Sequence, residues 1–291
     1  MKHNNSFLRA TLQAEQVIRE RGIPAFPVEP IDIARDCDIE VVAKPAHAAG
    51  VSGMLMRVGN CYGIAYATHL DNPGFERFSI AHELGHFFLP GHIDAVLGNS
   101  DIHESRAGFT SSNHYELEAD HFAAALLMPR QMFSAALRRT GDGLAAIEHL
   151  AGICKTSLTA TAIRYAQCIR DPVAIVVSSG GTIDYCFMSD ALKEYDGIDW
   201  IRKRQTVPRT TSTFAFSSDP DKVRRADRIE ETSDLQTWFG GSRSIELRED
   251  VIGLGRYEKT LTVLHGIEIP DDQDEEVDEA LTGSWTPRFH R

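Results

Sequence analysis

The sequence has no apolar run near the roughly 20 residues that a membrane span requires, no paired cysteines and no surplus of positive charge. Each absence excludes something. Cys37, Cys61, Cys154, Cys168 and Cys186 are scattered, odd in number and without a CxxC pair. That argues against a disulfide framework or a zinc ribbon and fits reduced thiols. With 30 Lys and Arg against 42 Asp and Glu, the net charge is -12. Such a balance argues against phosphate-backbone binding by the chain as a whole, while leaving room for a small basic patch. The opening MKHNNSFLRATLQAEQ is too polar for a secretory leader, and no internal repeat is visible. What is present is ordinary globular composition: 291 residues, 42% hydrophobic and 25% charged, ample for a buried core in one large domain or two modest ones. The expectation is a soluble, cytoplasmic protein without a membrane partner.

Periodicity divides the chain. Residues 6–22 read as an amphipathic helix through Phe7, Leu8, Leu12, Val17 and Ile18, stopped by Gly22 and Pro24. EPIDIARDCDIEVV reads as a short helix and a strand. GMLMRVGNCYGIAYAT reads as a hairpin turning at Gly59-Asn60. A helix follows over 75–89. Residues 91–113, rich in Gly, Ser, His and Asn, read as a long surface loop. YELEADHFAAALLMP is a second strong helix, and GLAAIEHLAGICKTSLTATAIRYAQ reads as two short helices joined by a turn. Near Asp171-Pro172 the period changes: PVAIVVSSGGTIDYCFMS is a hairpin, and RSIELREDVIGLG and KTLTVLHG read as further strands. DKVRRADRIEE reads as a solvated helix face. Past Pro270 the chain turns acidic, the pattern of a disordered tail. The expected fold class is α+β, divided at 1–135, 136–170, 171–268 and 269–291.

The stretch SIAHELGHFFLP carries the chemistry. Phe78, Ala81, Leu84 and Phe88 line one side of its helix. Four residues advance a helix by about 400°, so His82 and His86 share a face one turn apart and can reach one cation. Zinc accepts such imidazoles, and a catalytic site takes three protein ligands and leaves a position open. Glu83 points about 100° away from His82. It can therefore stand beside a polarised water as a base without being a ligand. Gly85 leaves the surface between the histidines open to a neighbouring element.

The third ligand is sought in Tyr115-Glu116-Leu117-Glu118-Ala119-Asp120. Glu116 and Glu118 face nearly opposite sides, so only one can reach the ion. Glu116 shares a face with Asp120, which can accept the ring N–H of a ligating histidine and set its tautomer. Glu116 is favoured as ligand and Asp120 as its hydrogen-bonding support, with Glu118 solvated or packing on the helix. The reverse assignment, Glu118 as ligand, stays open.

RFSIAHELGHFFL followed by YELEADHFAAALLMP resembles the ImmA/IrrE family of metallopeptidases over roughly residues 10–135. The resemblance implies a zincin-like peptidase domain, with zinc (or Mn²⁺) held by His82, His86 and a glutamate of the second helix, and with Glu83 as base. It also implies action on a helix-turn-helix repressor, encoded nearby, in stress response or transcription regulation. Longer, IrrE-like members add a helix-turn-helix-like segment, matched here by 136–170. They also add a GAF-like domain, matched by 171–268, that would sense a small-molecule or redox signal.

The remaining candidates carry weaker signals. His92, His103 and His114 could act on the leaving amine or the oxyanion, but each reads as a surface histidine. Tyr115 is balanced between oxyanion donor and helix packing. The strand around Gly63-Ile64-Ala65-Tyr66 suits either an edge for an extended substrate or a buried strand. The 144–166 segment offers only Lys155 and Arg164 to phosphates, so direct DNA binding is not expected. The rival functions are a DNA-binding regulator with a structural metal and an antitoxin-type partner that acts by binding alone.

Overall fold

A computed structural model describes residues 2–44, 51–68, 72–98, 100–106 and 111–268. The expected tail at 269–291 lies outside the described residues. The chain is α+β and divides into two compact units, Met1–Cys168 and Ile169–Arg291.

In the first unit, α1 (Lys2–Glu20) packs against α5 (His114–Leu127), burying Ala10, Ala14, Val17 and Ile18. Between them in sequence come α2 (Pro30–Arg35), β1 (Ile39–Lys44), β2 (Gly53–Val58), β3 (Cys61–Ala67), α3 (Pro73–Phe88), α4 (His92–Leu97) and β4 (Ile102–Ser105). The strands form one sheet in the order β1-β3-β2-β4. β1 runs parallel to β3, while β2 is antiparallel to both β3 and β4. The β2–β3 hairpin closes at Val58 opposite Cys61, and Gly59, at φ +62°, takes the left-handed turn position. Leu55 and Ile64 of the sheet meet Ile80, Leu84, Phe122 and Leu126 of α3 and α5 in the core.

Both site-bearing helices start at an asparagine cap. Asn72 accepts the Phe75 N–H at 3.1 Å ahead of Pro73, and Asn113 accepts the Tyr115 N–H at 3.0 Å. The two helices approach closely at Gly85, where an added Cβ would lie 3.0 Å from Ala119 Cα. This is the close approach that a side-chain-free position between the histidines permits.

Three helices complete the unit: α6 (Arg130–Leu137), α7 (Gly143–Cys154) and α8 (Leu158–Cys168). Arg164 is buried, and its Nε and Nη2 donate to the Met128 carbonyl at 2.9 and 2.6 Å, satisfying the end of α5. Lys155 pairs with Glu29 at 3.3 Å.

The second unit is a five-stranded antiparallel sheet in the order β6-β5-β9-β8-β7. Its elements are β5 (Ala174–Ser179), β6 (Thr182–Met188), α9 (Asp190–Lys193), α10 (Ser212–Ser217), α11 (Pro220–Arg224), β7 (Arg228–Asp234), α12 (Leu235–Phe239), β8 (Glu246–Gly253) and β9 (Thr260–His265). Leu235, Trp238 and Phe239 of α12 pack on Leu247, Leu264 and Val176.

Several expectations are corrected. Residues 91–113 are not a bare loop: they hold α4 and β4, whose backbone groups are satisfied by a helical turn and by β2. Of the two readings left open for the Gly63–Tyr66 strand, the inner one holds, since β3 lies between β1 and β2; β1 and β4 are the edges. DKVRRADRIEE is not one helix face: α11 ends at Arg224, Ala226 takes φ +55°, and the rest becomes β7. Its adjacent acids Glu230 and Glu231 are exposed on an edge strand, where charge is common. Among the described residues, no helix is long and apolar enough to cross a membrane.

Candidate metal centre

The helical offsets read from the sequence are realised in three dimensions. His82, Glu83 and His86 are fully buried on α3, with Glu116 and Asp120 buried on the facing α5. One ligand atom from each of His82, His86 and Glu116 lies within 4.8 Å of the others, and this is the one such cluster among the described residues. His82 Nε2 is 3.2 Å from His86 Nε2 and 3.4 Å from Glu116 Oε2, and His86 Nε2 is 3.3 Å from Glu116 Oε1. Glu118, two residues on, turns away from the cluster, as its offset demands.

The proton on each ring decides what this cluster needs. His82 Nδ1 donates to Asp120 Oδ1 at 2.9 Å, which leaves Nε2 bare. A second bare imidazole nitrogen and a carboxylate then converge on the same point. Three lone pairs aimed at one another repel unless a cation, a proton or a metal ion, lies between them. Without a metal the protein already shows this demand. Burial works against charge on His82, but hydrogen bonds to Asp120 and Glu116 and the Glu83 charge push its pKa up to about 10. Burial holds the His86 pKa down to about 3. Burial also opposes ionisation of Glu116, yet the neighbouring His103, His82 and His86 keep its carboxyl far below the usual range. Two nitrogens and a carboxylate suit a divalent cation.

Glu83 stands apart from the donor set. Both of its carboxylate oxygens are buried and have no hydrogen-bond partner among the described residues. Burial pushes the carboxyl up to about 7, against the pull of His82, the nearby Ser105 hydroxyl and His103. Room for it comes from Gly53 at the head of β2, where an added Cβ would lie 2.4 Å from Glu83 Oε1. The sequence reading had not picked out Gly53.

Three further residues differ from expectation. His92 is buried, not on the surface, because Leu89-Pro90-Gly91-His92 forms a turn back towards α3. Gly91 has φ +77° and ψ -5°, and the His92 N–H bonds the Leu89 carbonyl at 3.2 Å, a type II geometry. Its ring reaches His86 Nδ1 at 3.2 Å and Glu118 at 3.0 Å. Glu118 is accordingly paired, not solvated. His103 on β4 is no plain surface residue either, since its Nε2 lies 2.9 Å from Glu116 Oε1. The Pro-Gly pair was the available signal for His92; strand register placed His103, and no local pattern announced it. Tyr115 stands edge-on to His92 at 5.0 Å, and His114 is exposed beside it.

A histidine pair and a glutamate on two packed helices, with a second glutamate buried beside them, form a group that could hold a divalent metal. Residues 34–164, a little under half of the chain, match the family described as Peptidase_M78, the IrrE N-terminal-like domain, and this segment is similar to the ImmA/IrrE family. Over 104 residues it is 33% identical to the radiation response metalloprotease IrrE of Deinococcus radiodurans, covering 36% of this chain and 30% of that protein. Over 105 residues it is 32% identical to the protein of the same description from Deinococcus deserti, covering 36% of each. The chain thus spans about a third of the length of these curated relatives. A Mycobacterium tuberculosis transcriptional regulator of known structure matches over 88% of this chain and 74% of its own, with TM-score 0.56 and 16% identity, a likeness of fold alone.

Proposed function

We propose that this protein is a zinc-dependent endopeptidase, with Mn²⁺ as the alternative ion, that cleaves a regulatory protein of the helix-turn-helix repressor class. The observation that carries the reading is the convergence of His82, His86 and Glu116 beside the buried, unpartnered carboxylate of Glu83. A divalent cation held there supplies Lewis-acid polarisation and lowers the pKa of a water. His82, His86 and Glu116 would hold it, and Asp120 would orient the His82 ring. Glu83, buried beside the donor set, would take the proton of the attacking water and hand it to the leaving amine.

β4 offers its free edge beside the centre, carrying His103 and Ser105, and among the described strands nothing pairs with its outer side. An extended segment adds there by strand pairing, which sets register and leaves side chains to set preference. In a folded repressor, such a segment is found only where packing is loose. The DNA-binding rival is weakened because Arg164 and Lys155 are both engaged within the unit. The β5–β9 sheet unit is assigned a GAF-like sensing role for a small-molecule or redox signal, and the protein a cytoplasmic place in stress response.

The test is incubation of the zinc-loaded protein with the repressor encoded beside its gene, read by mass spectrometry, with Glu83→Gln as control. Cleavage by the wild type alone is expected. No cleavage by either protein overturns the reading and favours a partner that acts by binding.

A further inference from the structure

The two ligand-type histidines are held in different ways. His82 Nδ1 bonds a carboxylate directly, Asp120 at 2.9 Å. His86 Nδ1 bonds another imidazole, His92 Nδ1 at 3.2 Å, and His92 Nε2 meets Glu118 Oε2 at 3.0 Å. His92 is buried and Glu118 largely so. Proton placement along this line has one self-consistent solution. For His86 Nε2 to present a lone pair to a cation, His86 must carry its proton on Nδ1. His92 Nδ1 must then accept, so its own proton sits on Nε2 and is donated to Glu118, which as a carboxylate only accepts.

We propose that His92 and Glu118 are positioning residues for the metal centre: a two-link hydrogen-bond relay that sets the tautomer and ring plane of His86, as Asp120 does for His82. The inference rests on the metal-centre reading above. All three carboxylates of Glu116-Leu117-Glu118-Ala119-Asp120 then serve one ion. Glu116 acts by direct contact, Asp120 through one hydrogen bond, and Glu118 through His92. The two-residue offset that points Glu118 away from the ion points it at α4. The type II turn at Pro90-Gly91 brings His92 to meet it. Support of a ligating imidazole by a hydrogen-bonded partner is worth about 10–100-fold in metal affinity, and an added link should weaken the hold.

Zinc affinity of the full chain, measured by chelator competition, tests the relay without reference to peptide cleavage. His92→Leu keeps bulk but neither hydrogen bond, and is expected to lose affinity about 10–100-fold. His92→Gln can accept through its amide oxygen and donate through its amide nitrogen, and is expected to recover most of that loss. Glu118→Ala should fall between wild type and His92→Leu. In the zinc-loaded protein, ¹⁵N spectra of the imidazoles should show His86 protonated on Nδ1 and His92 on Nε2. Packing alone would not dictate that pattern. Unchanged affinity in His92→Leu, or a His92 proton on Nδ1, overturns the relay. If the affinity series holds while no peptide is cut, the peptidase reading falls and the relay stands. If cleavage holds while His92→Leu binds zinc like wild type, the relay falls alone.

Discussion

The two units both bury polar side chains, and they do so to different effect. In the second unit, most buried polar groups are answered by a donor. Thr213 and Thr262 share a hydroxyl hydrogen bond at 2.8 Å, Ser217 reaches Thr260 at 3.1 Å, and His265 meets Asp250 at 2.9 Å. Glu249 takes the Thr213 N–H and keeps one unanswered oxygen, as does Ser178, but among the described residues no set of ligand-type side chains gathers round them. In the first unit, acceptors face acceptors at 3.2–3.4 Å, and the carboxylate of Glu83 beside them makes no hydrogen bond of good geometry among the described residues. Burial of polarity is therefore not what marks a site, since paired groups simply specify packing. Convergence of unpaired lone pairs is what calls for a cation.

Breaking the convergence should have the largest effect. His86→Ala or Glu116→Ala removes one of three donors. Each should cost more zinc affinity than the about 10–100-fold expected for an outer hydrogen-bond partner such as Asp120→Ala. Equilibrium dialysis on the three variants would rank them.

Next come changes that spare the metal. Glu83→Gln should keep bound zinc by elemental analysis and lose about 10²–10⁴-fold in hydrolysis. Gly53→Ala sharpens the same point. Its new methyl group meets the flexible end of Glu83, so the fold should survive while the base is displaced. Zinc retained with hydrolysis impaired is expected, and unimpaired hydrolysis would show that Glu83 does not work from this position.

In the second unit, Thr262→Val should lower stability by about 1–3 kcal/mol, because it strands the Thr213 hydroxyl, and leave zinc affinity untouched. Thermal melts with and without zinc separate the two readouts. The smallest expected effect lies at Glu29, half-exposed between Arg77 and Lys155. Burial alone would raise its carboxyl, but the two cations hold it below its ordinary value of 4.5. A carboxyl lowered in the folded state stabilises above the ordinary carboxylate range, and that stability fades as pH falls through the lowered value. Glu29→Gln should accordingly flatten the acid side of the stability profile, as read by melts at stepped pH.

Much of this was legible in the sequence because helix periodicity is a local property. His82 and His86 share a face by a four-residue offset, and Glu116 and Asp120 repeat the arithmetic on the partner helix. The β2–β3 and β5–β6 hairpins were signalled by glycine turns between apolar strands. What escaped depends on which distant segments meet. His103 gained its place from β4 pairing with β2, His92 from a turn followed by burial, and Gly53 from a carboxylate 30 residues away in sequence. β7 was hidden because its exposed acids on an edge strand look like a solvated helix face.

The central claim is that His82, His86 and Glu116 together hold one metal ion. Zinc content after exhaustive dialysis of wild type, Glu116→Ala and Glu118→Ala tests it most directly. The account expects one zinc per chain in wild type, none in Glu116→Ala, and one, more weakly held, in Glu118→Ala. Zinc retained by Glu116→Ala and lost from Glu118→Ala would contradict it.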